Sequence, residues 1–213
     1  MRGDNLRKGL NPAAPARPTV AIMRRESKPT AKTFVALLRG VNVGGKNMIR
    51  MSALKASFEE MGFAAVSTYI NSGNIIFKAK ASDARRLERE IEAMLASEYK
   101  LDSKVVVRSL PEMASLVENL PAEWDGDGRW KYNVIFLRHT IDSERVLDGL
   151  NPRSDVERVV YRPGTLLWAA RADAITKAAL LKLPGMKIYR EMTVRNLNTT
   201  RKLYELMKKM SEA

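Results

Sequence analysis

The 213-residue sequence predicts an α+β protein: two tandem ferredoxin-like α/β-plait subdomains with a C-terminal helix, preceded by a disordered tail. Three observations predict it. From residue 33 onward, apolar runs of strand length alternate with segments of helical apolar period in the order β-α-β-β-α-β. After a linking helix and a loop, the same order begins again. Residues 1–32 carry no sustained apolar period and cannot bury enough surface to offset the entropy of ordering.

Each element has its own signal. Residues 33–39 are apolar and read as a buried strand. Met51, Leu54, Phe58 and Met61 recur at helical spacing, and Gly62 ends that helix. Residues 63–70 and 75–77 read as strands joined through Asn71-Ser72-Gly73-Asn74, whose amides and glycine tolerate positive φ. A helix opened by Ser82 or Asp83 carries Leu87, Ile91, Met94 and Leu95 on one face, and the β-branched residues 104–108 close the first subdomain, 33–108. Ser109-Leu110-Pro111-Glu112 has the form of a capping box, starting a helix that leads through Leu116 and Val117 to the loop Asp125-Gly126-Asp127-Gly128; this linking segment spans 109–131.

The second subdomain, 132–213, begins with a strand over 132–137 and a short helix over 142–150. A hairpin of 156–161 and 165–170 turns at Arg162-Pro163-Gly164, where residues 69–74 stand in the first half. Ile175, Ala178, Ala179 and Leu181 suggest a helix capped by Asp173. A last helix over 196–210 places Leu203, Leu206, Met207 and Met210 on one stripe.

Composition bounds the function. No window approaches the roughly 18 apolar residues of a spanning helix, and the chain does not open on a secretory apolar core, so a soluble, cytoplasmic protein without membrane partners is expected. Zero cysteines exclude disulfides, thiolate nucleophiles and cysteine-ligated metals, and the single histidine, His139, excludes a multi-histidine metal site. Of the net charge of +13, residues 1–32 carry +6. Translation that truly begins at Met23 explains much of that tail; a basic arm for a polyanion is the functional alternative.

The run Leu38-Arg39-Gly40-Val41-Asn42-Val43-Gly44-Gly45-Lys46-Asn47 breaks an apolar strand into glycines, amides and two cations. Glycines let successive N–H groups converge on an anion, with Arg39 and Lys46 beside them. Gly40 to Lys46 also fits the phosphate-loop pattern G-x-x-x-x-G-K, but position 47 is Asn where a magnesium-holding hydroxyl belongs, and the helical period begins only near Met51. Two further segments share its character. Tyr69-Ile70-Asn71-Ser72-Gly73-Asn74 is equally well a plain hairpin turn. Thr193-Val194-Arg195-Asn196-Leu197-Asn198-Thr199 supplies an N-cap, Thr193 or Asn196, yet five of its seven residues are polar. A helix N-terminus beside an arginine suits an anion.

These three segments resemble the signature segments of the bacterial family called domain of unknown function 1697, in the same order and spacing over about residues 33–210. The resemblance implies two tandem plait subdomains and carries no assigned activity or catalytic residue.

Conventional catalytic patterns are thin. His139 follows an apolar strand and reads as a strand-end or partly buried structural histidine rather than a general base. The Asp125-Gly126-Asp127-Gly128 loop lacks the further acidic ligands of a calcium site. Ser72 has no assignable base. Trp124, Trp130 and Trp168 read as packing residues.

The expected function is binding of a small anionic ligand, bearing phosphate or carboxylate, in a basic, Asn-rich cleft between the subdomains. Its ligand-binding residues are Arg39, Asn42, Gly44, Gly45, Lys46, Asn47, Asn71, Ser72, Asn74, Thr193, Arg195, Asn196 and Asn198, with no metal and no identifiable cofactor. One alternative is an enzyme using that cleft for phosphoryl or nucleotidyl transfer. The other is nucleic-acid binding, suggested by a pI near 10.1 and opposed by an aromatic content of 7% with no glycine-aromatic stacking signature.

Overall fold

The computed structural model describes residues 31–42, 48–80, 83–125 and 128–213. The anticipated behaviour of the N-terminal tail lies outside them, as do Gly44, Gly45, Lys46 and Asn47.

The first half runs β1 (Lys32–Leu38), α1 (Met51–Glu60), β2 (Ala64–Thr68), β3 (Asn74–Ala79), α2 (Ala84–Tyr99), β4 (Val105–Ser109) and α3 (Leu110–Glu118). Its four strands form one antiparallel sheet in the order β2-β3-β1-β4. The second half contributes β5 (Trp130–Leu137), β6 (Glu157–Arg162), β7 (Thr165–Arg171), β8 (Met192–Asn196) and the C-terminal helix α4 (Leu197–Glu212). Its antiparallel sheet has the order β6-β7-β5-β8. The registers correspond: Arg108 stands opposite Val35 in the first sheet, and Arg195 opposite Val134 in the second.

Three caps fall where the sequence indicates. Asp83 caps α2 by accepting from Arg85 N at 2.9 Å. Ser109 and Glu112 form the capping box of α3. Asn196, not Thr193, caps α4 through Thr199 N at 2.7 Å.

The second half departs from expectation in two places. The segment before α4 is a strand, β8, which the sequence reading passes over because its residues Thr193 and Arg195 are polar yet buried. Where helices were anticipated over 142–150 and after Asp173, the chain forms 3-10 segments: Glu144–Gly149, Ala172–Lys177, Ala179–Gly185 and Lys187–Glu191. Ala178 and Met186 are extended, and Pro184 lies between them without an N–H to continue an α-helical ladder.

Alternation along β1 explains the layering. Phe34, Ala36 and Leu38 pack with α1 and α2, while Val35 and Leu37 face the opposite side. There α3 and α4 lie between the sheets, and Leu203 and Met207 of α4 join Val35, Val134 and Phe136 in one cluster. Each such side chain contributes about 1.5–3 kcal/mol on full burial. A third cluster packs Ile135, Leu137 and Trp168 against the 3-10 segments. The helices and 3-10 segments thus cover both faces of the central strands, which are buried along almost their whole length.

Candidate anion-binding site at the sheet junction

The end of β1 is built from backbone groups. Leu38 N donates to Gly73 O at 2.8 Å, so the β2–β3 turn tucks beneath it. Gly73 has φ +69°, and a Cβ there would stand 2.8 Å from Leu38 Cβ; only glycine fits. Asn74, fully buried, donates from Nδ2 to Tyr69 O and Ser72 Oγ, both at 3.1 Å.

Arg195 reaches this turn from β8. Its Nε donates to Asn74 Oδ1 at 2.5 Å; its Nη2 donates to Leu38 O at 2.9 Å, Ser72 O at 3.1 Å and Gly73 O at 3.3 Å. Its Nη1 donates to Thr193 Oγ1 and Val194 O, both at 2.8 Å. All five guanidinium N–H donors are therefore engaged inside the protein. Among the described residues no carboxylate lies within ion-pairing distance of Arg195. Burial drops its pKa to about 10, with a smaller opposing influence from the neighbouring Tyr189.

Arg39 occupies the adjoining position. Its N–H donates to Lys104 O and its carbonyl accepts from Ser103 Oγ, which fixes the backbone. The guanidinium lies over the Tyr189 ring, 4.8 Å from the centroid, with Nε buried and without a hydrogen-bond partner. Asn42, at φ +56°, accepts from Ile49 N at 2.7 Å and donates to Ile49 O and Asn71 O, both at 2.9 Å. It thereby ties the two sides of residues 43–48 to each other and to the turn.

The structure thus gathers Arg39, Asn42, Asn71, Ser72, Asn74, Thr193 and Arg195 at one junction, with Asn196 next in chain as the cap of α4. Asn198 is exposed on the first turn of that helix. Two features escaped the sequence reading: Tyr189 beneath Arg39, and a matching junction in the other half. There Arg108 donates from Nη2 to Leu137 O (2.5 Å) and Gly164 O (2.9 Å), and Leu137 N donates to Gly164 O at 2.9 Å. A signal existed. Val35, Leu38 and Arg39 match Val134, Leu137 and Arg138 as V-x-x-L-R, and Val107-Arg108-Ser109-Leu110 matches Val194-Arg195-Asn196-Leu197 as V-R-x-L.

His139 is a partly buried histidine at a strand end, its Nδ1 3.3 Å from Glu88 Oε2. Beside it Arg138 bridges Glu92 and Glu191 at 2.9 and 2.8 Å, joining α2 to the second sheet. The tryptophans pack as anticipated: Trp124 and Trp168 are buried, and Arg158 lies over Trp130.

A family model described as a protein of unknown function, DUF1697, matches residues 31–168. The chain belongs to the DUF1697 family. The match contains the Arg39 and Asn71–Asn74 segments of this DUF1697 protein and stops short of the Arg195 segment. A solved structure described as conserved bacterial protein SP0830 from Streptococcus pneumoniae is similar, at 28% identity and a TM-score of 0.75, covering 84% of this chain and 99% of that one. No curated protein matches the sequence. Among the described residues, no helix is long and apolar enough to cross a membrane.

Proposed function

We propose that this protein binds a small anion, phosphate- or carboxylate-bearing, at the junction of β1, the 71–74 turn and the N-terminus of α4. The observation carrying this reading is the uncompensated charge of Arg195. Its counterpart Arg108 is surrounded by Glu112, Glu88 and Asp142, and Arg138 is paired with two glutamates. Arg195 has neutral acceptors and Tyr189 alone. A buried cation without an anion is costly, and a ligand bringing negative charge to the adjacent surface lowers that cost.

The roles then separate. Arg195 is a positioning residue that holds the turn and supplies potential, since its donors are already engaged. Arg39, with an unpartnered Nε, supplies the direct contact, and the amides of Asn42, Asn71 and Asn198 orient the ligand, with Lys46 and Asn47 adding donors from the glycine-rich segment. The same reading takes each half as a ferredoxin-like plait, 33–108 and 132–213, supported by the 2-3-1-4 strand order with antiparallel neighbours in the first sheet and its counterpart in the second.

Transfer chemistry ranks lower, because Ser72 Oγ is hydrogen-bonded by Asn74 rather than by a base. Base stacking on a plait sheet ranks lower as well, because β1 and β7 are covered on both faces.

The test is thermal unfolding with inorganic phosphate, a nucleoside monophosphate or malonate, each against chloride at equal ionic strength. At least one anion raises the Tm of the native chain by about 2–4 °C per kcal/mol of binding free energy. Arg39→Gln removes that rise without lowering the ligand-free Tm. Equal rises in both proteins, or no rise with any of the three, refute the reading.

A further inference from the structure

A second cavity lies away from that junction. It has a volume of about 910 Å³ and opens between the N-terminal end of α2, α3 and the β6–β7 turn. This is within the roughly 300–1,000 Å³ of small-molecule sites. Leu116 and Pro163 contribute apolar surface to its lining, with Phe34, Met113, Phe136 and Leu167 buried behind it.

Its charged groups divide by whether they are already used. Arg108 is engaged with carbonyls, Glu112 with Ser109 N and Oγ, Asp142 with Tyr161 Oη and Gly164 N, Asp83 with Arg85 N, and Glu88 through Oε1 with Val107 N. Two arginines of the lining are left without an ion pair. Arg85 and Arg162 are exposed in the lining, and neither guanidinium takes part in an ion pair among the described residues. His139 presents a third of its side chain to solvent, with Nδ1 3.3 Å from Oε2 of the buried Glu88, whose Oε1 is fixed by Val107 N at 3.1 Å. The carboxylate lies on the Nδ1 side of the ring, which leaves Nε2 for a ligand. A second, independent sign is Thr165: it is 3% exposed, lines the cavity, and its Oγ1 has no hydrogen-bond partner. Its counterpart by register, Asn74, is bonded to Arg195.

We infer that this cleft is a second binding site, for an organic anion with an apolar body, whose acid group meets Arg162, Arg85 and His139 while its hydrocarbon lies against the apolar lining. Arginine suits the acid group by paired hydrogen bonds, and the Thr165 hydroxyl gives the buried end one polar contact. The site is separate from the junction and does not depend on it.

The test uses the full chain and the one histidine it contains, so that imidazole proton–nitrogen correlations report on His139 without ambiguity. Naphthoate, naphthol and acetate are titrated at constant pH. Naphthoate moves the His139 signals saturably. Naphthol, lacking the acid, and acetate, lacking the body, bind at least about tenfold more weakly, as loss of a charge-assisted contact or of buried area implies. Arg162→Ala weakens naphthoate roughly fivefold or more. Arg39→Gln leaves it unchanged, which separates this site from the junction. No saturable movement of His139, equal binding of naphthol, unaltered affinity in Arg162→Ala, or loss of binding in Arg39→Gln each overturns the proposal.

Discussion

Replacing Arg195 by methionine keeps most of the stem's packing and removes the guanidinium, so it isolates what the charged fork contributes. Four of its hydrogen bonds cross to the first half: to Asn74 Oδ1, Leu38 O, Ser72 O and Gly73 O. Nη2 has two N–H groups to share among its three carbonyls, so three donors serve these acceptors; bonds with a charged partner contribute about 1.5–3 kcal/mol each, and the low end for three gives about 4.5 kcal/mol. Against this stands desolvation of the cation. A pKa lowered by burial to about 10 corresponds to a penalty of about 3 kcal/mol. The net loss in Arg195→Met is therefore about 1.5 kcal/mol. Guanidinium chloride unfolding reads it as a lower midpoint at unchanged m, and calorimetry as a Tm lower by about 3–6 °C. Arg195→Lys keeps the charge but not the planar fork, and falls between the two. A loss below about 1 kcal/mol, or Lys and Met variants of equal stability, refutes the account of Arg195 as the strut of the junction.

Gly73→Ala costs roughly 2–4 kcal/mol by urea unfolding, because it combines positive φ with the 2.8 Å approach to Leu38 Cβ, whereas Gly62→Ala, at φ +83° in open space, costs only about 1 kcal/mol. Equal costs remove the steric argument. Two carboxyls, one buried and one half-buried, give opposite pH signatures. Desolvation raises Glu88 above the usual range despite the Val107 N–H and the charges of Arg108, Arg138 and His139, so its contribution is present below the unfolded pKa and is lost as pH rises through the folded one. Desolvation also acts upward on Glu191, but hydrogen bonds from Arg138 and Thr140 with the nearby positive charge bring it net below the usual range. Its contribution is present above the unfolded pKa and is lost as pH falls through the folded one. Denaturation of Glu88→Gln and Glu191→Gln from about pH 3 to 7 gives stability differences from the native chain that slope in opposite directions; like slopes contradict the assignment.

How much of this was legible follows from which residues obey local rules. α1, α2 and α4 announce themselves because Leu54 and Phe58, Leu87 and Ile91, Leu203 and Met207 repeat at helical spacing, and Asp83, Ser109 and Asn196 mark starts. β8 hides because Arg195 and Thr193 are buried by mutual hydrogen bonding rather than by apolarity, and a hydropathy pattern is blind to that. Residues 172–191 carry scattered apolar residues that fit a helix on paper. Their conformation is decided by packing onto Ile135 and Trp168 and by the break at Pro184, which is tertiary information. At the junction, convergence of the three polar segments was foreseeable from composition. The consumption of Arg195 was not, because its acceptors are backbone carbonyls, which every sequence has.

The two junctions share a scaffold and differ in charge, and that difference decides what each can recognise. Arg108 and Arg195 each leave the last strand of one sheet to bind the carbonyls at the end of the other sheet's first strand and at its hairpin glycine. Neither arginine finds these carbonyls until the opposite half is in place, so the exchange couples the halves as α3 and α4 do through their shared cluster. Beside Arg108 stand Glu112, Glu88 and Asp142, so that junction is locally neutralised and the cleft next to it must draw its selectivity for an acid from the rim, at Arg85 and Arg162. Beside Arg195 no carboxylate is present among the described residues, and Arg39 adds a second cation. The same backbone device therefore yields a neutral support under an open apolar cleft on one side and a positive anchor on the other. An anion that needs no hydrocarbon surface is favoured at the second, and one that brings an apolar body is favoured at the first.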